Sequence, residues 1–311
     1  MMPSYVVRLL LLSSASFFLV QLVVSALVAW KTKPAVRRAA SMPASSAARM
    51  LLTLRLLPAA AAALIVAAIC IPSYLRFEPA VADEEAGFLC VSFAALGAVW
   101  CGVAACRGIG AWVRSALYVR RIGGVESRIA GETVWIVPRG AGLALAGLFR
   151  PRLLLSEAAR TQLSPAQLEV ALLHERAHWA SRDNWKRLLI LLAPPLFPAL
   201  RLLDRTWAKC AEWAADDQAA QGDADRSATL AEALIRVARL QSGIEMPSLV
   251  TCLVEADEDL SQRVDRLLAL PSRGPSNFRV GAIAIGAAVA ISAIAATSLH
   301  PVHRLLELLL D

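Results

Sequence analysis

Uncharged, mainly apolar stretches dominate the first third of the chain and return once near its end. Leu9 to Trp30, Leu56 to Leu75, Gly87 to Cys106 and Val280 to Leu299 are each long enough to cross about 30 Å of hydrocarbon as a helix. The pattern predicts a mainly α, polytopic membrane protein with four transmembrane helices. Residues 1–106 form a membrane domain with three spans (about 9–30, 56–75 and 87–106), 279–299 hold the fourth, and 300–311 form a short tail. Between the third and fourth spans, residues 107–278 are polar enough to fold as an inserted α+β domain. It opens with short β-like pieces, Thr133 to Val137 and Arg152 to Leu155, separated by the glycine-containing stretch Gly140 to Gly147. Two uses are open for such a sheet: an edge that takes an extended substrate strand, or a hairpin that only covers a helix. Leu188 to Leu200 is uncharged but short for a span, and Pro194, Pro195 and Pro198 interrupt it. We therefore expect a re-entrant or interfacial hairpin at about 188–203. From Asp223 to Leu270 the pattern is helical and well charged, divided by Gly243 and Pro247.

Composition agrees with a membrane protein: 57% of the residues are hydrophobic and the mean hydropathy is +0.55. The net charge of +7 is largely a topology signal. Lys31, Lys33, Arg37, Arg38 and Arg49 follow the first span, and Arg107, Arg114, Arg120 and Arg121 follow the third. The loop between the second and third spans carries Glu78, Asp83, Glu84 and Glu85. By the positive-inside rule the N-terminus lies outside and residues 107–278 are cytoplasmic. The first span is too long for a signal-peptide core and reads as an uncleaved anchor. No nucleic-acid-binding motif occurs, so the basic balance implies the lipid bilayer as partner and no direct nucleic acid. Small-residue faces such as Ala59 to Ala63 would allow close helix packing, and leave a homodimer open. The six cysteines include no C-x-x-C pair, which indicates neither a disulfide framework nor a cysteine zinc site.

The chemistry is concentrated in Ser164 to Asp183, SPAQLEVALLHERAHWASRD. Ser164 suits an N-cap, Pro165 the first helical position, and Gln167 completes a capping box. On that helix His174 and His178 of the H-E-x-x-H share one face, where both imidazoles can bind a Zn²⁺, and Glu175 is placed to act as general base. A later helical stretch, Thr206 to Gln221, carries Glu212 and, one turn on, Asp216. A glutamate from a second helix is the usual third ligand in one class of H-E-x-x-H enzymes, which makes Glu212 the candidate ligand and leaves a fourth position for water. Asp216 would then accept the free ring N–H of a ligand histidine, with Asp217 as the competing choice on another face. His300 and His303 read as tail residues rather than a second metal site.

With these residues in hand, the chain resembles the BlaR/MecR family of integral-membrane zinc metallopeptidases. The resemblance rests on FRPRLLLS (Phe149 to Ser156), LEVALLHERAHWASRDNW (Leu168 to Trp185) and CAEWAADDQA (Cys210 to Ala219), in that order between a third and a fourth membrane segment. It implies a gluzincin-like metalloendopeptidase with His174, His178 and Glu212 on zinc, Glu175 as catalytic base and acid, and Asp216 behind the ligands. It also implies a protein or peptide substrate: a cytoplasmic transcriptional repressor, or the enzyme's own chain, cut in signalling. A membrane-protein quality-control peptidase of the Ste/Htp type is the alternative enzyme. A membrane scaffold or receptor with a structural zinc site is the non-catalytic alternative, against which Glu175 counts, since a structural site needs no base. The β-lactam sensors of the family carry a penicillin-binding domain after the last span, where only His300 to Asp311 follow here, so β-lactam recognition is not expected.

Overall fold

In the computed structural model, residues 5–77, 87–138, 142–240, 249–252 and 257–269 are described. The fourth expected span and the tail lie outside them. Among the described residues, three helical runs are long and apolar enough to cross a membrane, at Tyr5–Ala39, Ala44–Phe77 and Phe88–Arg121. The first is α1 (Tyr5–Ala39). The second is α2 (Ala44–Ile65), which passes through a π-helical turn (Val66–Cys70) into α3 (Ile71–Phe77). The third is α4 (Phe88–Arg121).

All three outrun their apolar windows, because a helix does not stop where hydrocarbon does. The arginines after Cys106 are good helix formers, and α4 continues until Gly123 and Gly124, both at positive φ, break it. Its far end packs Tyr118 and Val119 against Val137, Ala144 and Leu154 of the sheet. One helix therefore runs from the apolar bundle to the sheet, across the boundary expected at residue 106. The bundle is close-packed: a Cβ on Gly97 of α4 would lie 2.6 Å from the Ser14 carbonyl oxygen of α1, and the Ser14 hydroxyl donates to the Ala94 carbonyl at 2.9 Å.

The sheet comprises β1 (Val125–Ile129), β2 (Glu132–Val137), β3 (Leu143–Ala146), β4 (Arg152–Ser156) and β5 (Val250–Cys252), in the order β1-β2-β4-β3-β5. The two expected strands, β2 and β4, are parallel neighbours. They are not a hairpin. Leu143 to Ala146, inside the stretch expected as a glycine-rich connection, forms a wholly buried strand antiparallel to β4. β3 lies against the helix that carries the H-E-x-x-H, and its other edge is already paired, antiparallel, with β5. The side of β3 away from β4 is thus filled by a later part of the same chain.

Helices α5 (Glu157–Gln162), α6 (Pro165–Ser181), α7 (Asp183–Leu191), α8 (Leu200–Ala220), α9 (Ala224–Leu240) and α10 (Asp257–Leu268) complete the fold. One core joins β2, β3 and β4 to α6 and α9 through Val134, Leu143, Leu155, Ala171, Leu230 and Leu234. A second joins the first half of α8 to the membrane helices through Leu203, Trp207, Met50, Leu51 and Val28. The proline-rich segment is the turn between α7 and α8, and it packs on the bundle. Trp100 of α4 donates to the Pro194 carbonyl at 3.0 Å. Arg55 of α2 donates to the Ala193 carbonyl at 2.6 Å and pairs with Asp204 at 2.5 Å. The prolines end α7 as expected, and α8 starts at Leu200, before the expected Thr206, because Leu200 and Leu203 gain buried contacts.

Candidate metal centre

Helix α6 starts as its sequence requires. The Ser164 hydroxyl accepts from the Gln167 N–H at 3.3 Å, the Gln167 side chain accepts from the Ser164 N–H at 3.1 Å, and Pro165 is the first helical residue. The helix ends at Arg182, whose left-handed backbone (φ 55°) redirects the chain into α7. Helix α8 packs on α6, and its buried Ala211, Ala215 and Ala219 keep it slim.

The crossing brings three potential ligands together. His174 Nε2 is 3.1 Å from His178 Nε2 and 3.5 Å from Glu212 Oε2, and His178 Nε2 is 3.5 Å from Glu212 Oε1. Ligands at about 2.0–2.1 Å around a tetrahedral Zn²⁺ stand about 3.3 Å apart, which these separations match. Both carboxylate oxygens of Glu212 are buried and accept no hydrogen bond, although Arg263 and Arg187 lie nearby. Glu175 is fully buried, with neither oxygen hydrogen-bonded. Buried carboxylates left this way are costly unless a cation or water completes them. The residues present therefore fit a bound zinc.

Behind the imidazoles stand two carboxylates. Asp216 Oδ1 lies 3.0 Å from His174 Nδ1, and Asp183 Oδ2 lies 2.7 Å from His178 Nδ1. Each carboxylate favours a proton on Nδ1 and so leaves Nε2 as the free lone pair facing the common centre. Asp217 points elsewhere and pairs with Arg266 at 2.6 Å, which separates it from Asp216. Two residues escaped the sequence reading. Asp183 closes the quoted stretch, and its signal was an acidic residue just past the helix end. Arg263 of α10 has no local signal: it reaches Asp216 from 47 positions away, with Nε to Oδ2 at 2.9 Å and Nη2 to Oδ1 at 2.7 Å.

Electrostatics follow from burial and these pairings. Burial pushes the Glu175 carboxyl up to about 7, against the pull of His174, His178 and Arg263. Burial disfavours a charged His178, but Glu212, Asp183 and Glu175 outweigh it and lift the imidazole to about 10. Asp216 is held down at about 2 because Arg263 and His174 overcome its burial. Glu212 lies well below the usual carboxylate range, burial again being outweighed by His178, His174 and Arg263. A potential negative enough to hold a proton on a buried imidazole also favours a divalent cation there.

A two-histidine, one-glutamate cluster on crossing helices, in a chain with three described helices long and apolar enough to cross a membrane, defines the class: a membrane protein with a group of side chains that could hold a metal ion. The sequence profile of the BlaR1 peptidase M56 family matches residues 96–267, more than half of the chain, and the protein belongs to that family. No curated protein and no solved structure matches the chain.

Proposed function

We propose that the protein is a membrane-embedded zinc endopeptidase that acts in signalling by cutting a cytoplasmic repressor or its own chain. The observation that carries this reading is Glu175, a fully buried carboxylate with no hydrogen bond, adjoining the two histidines and Glu212. His174, His178 and Glu212 would hold the ion, with Asp216 and Asp183 orienting the imidazoles. Zinc bound there supplies a water acidic enough to deprotonate near neutral pH and a Lewis acid for the peptide carbonyl. Glu175 takes the proton of the attacking water and passes it to the leaving amine.

The positive-inside pattern supports a cytoplasmic site with the N-terminus outside. The own-chain reading has a specific support: β5 pairs with β3, next to α6, in the extended form that a peptidase substrate takes. The test is to purify wild type and Glu175→Gln in detergent, measure zinc per chain, and follow cleavage of candidate regulators and of the chain itself by mass spectrometry. The reading expects equal zinc in both and fragments only with wild type. Fragments formed equally by Glu175→Gln would refute it.

A further inference from the structure

The geometry points to Arg263 as the positioning residue of the metal centre, one guanidinium that sets the Glu212 and Asp216 carboxylates one helical turn apart on α8. The inference rests on the zinc reading above. Arg263 is only 3% exposed, and three of its nitrogens are committed. Nε and Nη2 form a fork on Asp216 at 2.9 and 2.7 Å, and Nη1 lies 3.3 Å from Glu212 Oε2. His174 also reaches both, with Nδ1 3.0 Å from Asp216 Oδ1 and Nε2 3.5 Å from Glu212 Oε2, but as a candidate ligand that faces the metal rather than as a fixed cation between the carboxylates. Two like charges one turn apart repel, and inside a protein that repulsion is poorly screened. Glu212 accepts no hydrogen bond that would hold it against Asp216. A planar cation fixed by one carboxylate therefore sets where the other points. A lysine would bring the charge without the fork.

Charge balance supports the assignment. Glu175, Glu212 and Asp216 are buried together, and a divalent cation neutralises only two of them. Arg263 supplies positive charge to both Glu212 and Asp216, whereas Arg187 lies 3.6 Å from Glu212 alone and Asp183 has its own partner in Lys186 at 2.7 Å. Nor is Arg263 needed merely to dock α10. Arg266 already ties that helix to α8, through Asp217 at 2.6 Å and the Trp213 carbonyl at 3.3 Å.

The test uses the full chain in detergent with Co²⁺ as probe, against a competing chelator. Dissociation constant, visible d–d spectrum and melting temperature are read for wild type, Arg263→Gln, Arg263→Lys and Arg266→Gln. Arg263→Gln is expected to weaken Co²⁺ binding about 10- to 100-fold and to alter the spectrum. Arg263→Lys should fall between it and wild type, and Arg266→Gln should lower the melting temperature while leaving affinity and spectrum unchanged. A folded Arg263→Gln with wild-type affinity and spectrum overturns the proposal. If Arg263→Gln does not fold, Arg263→Lys decides: wild-type affinity and spectrum overturn the need for the fork. A wild type that binds no Co²⁺ instead overturns the metal reading beneath it.

Discussion

Burial at the centre disfavours the charged form of Glu175, and that cost is measurable without a substrate. In metal-stripped protein its carboxyl is lifted by burial from 4.5 to about 7. Between those values the folded state binds a proton that the unfolded state has lost, so stability falls as pH rises through the window. Glu175→Gln has no such proton. Metal-free Glu175→Gln should therefore exceed metal-free wild type in stability by about 3 kcal/mol above pH 7, the gap closing toward pH 4.5. Parallel pH profiles in chemical denaturation would contradict this. Asp183 gives a second expectation. Asp183→Asn keeps the shape but weakens the hold on His178 Nδ1, and zinc affinity in a chelator competition should drop about 10- to 100-fold. The ligand candidates were legible because helical spacing is local: His174 with His178, and Glu212 with Asp216, recur at four residues. Arg263 was not, because only the folding of α10 onto α8 brings it to Asp216.

At the scale of elements, the three long helices and the capped α6 could be read from the sequence, whereas the sheet could be read only in part. β3 was hidden because Leu143 to Ala146 is short, without alternation, and flanked by glycines, and its identity as a strand comes from pairing with β4 and β5. The turn between α7 and α8 shows the same limit: its prolines announced a break, but not that Trp100 and Arg55 would hold it against the bundle. That attachment yields an expectation. Arg55→Leu removes the ion pair to Asp204 and the bond to the Ala193 carbonyl and should destabilise the folded protein, read as a lower melting temperature in detergent. Arg55→Leu combined with Asp204→Leu should recover part of the loss. If the double variant is no more stable than Arg55→Leu alone, the ion pair is not what holds α2 to α8.

Among the described residues, shared helices join the apolar bundle to the sheet and to the helices packed on it. α4 extends from the apolar bundle to the sheet, and α8 buries its first half against α1 and α2 while its second half presents Glu212 and Asp216. The candidate metal centre is therefore attached to the membrane helices through continuous secondary structure, with no flexible linker inside α8 between Asp204 and Glu212. We proposed above that this centre is an open, hydrolase-type zinc site. Zinc K-edge absorption on the detergent-purified full chain, with zinc counted per chain, tests it most directly. An open zinc site gives one zinc per chain, bound by two imidazole nitrogens and oxygen donors from Glu212 and water, and lost in His178→Ala. A chain that purifies without zinc, or a zinc closed by four protein ligands, would contradict it.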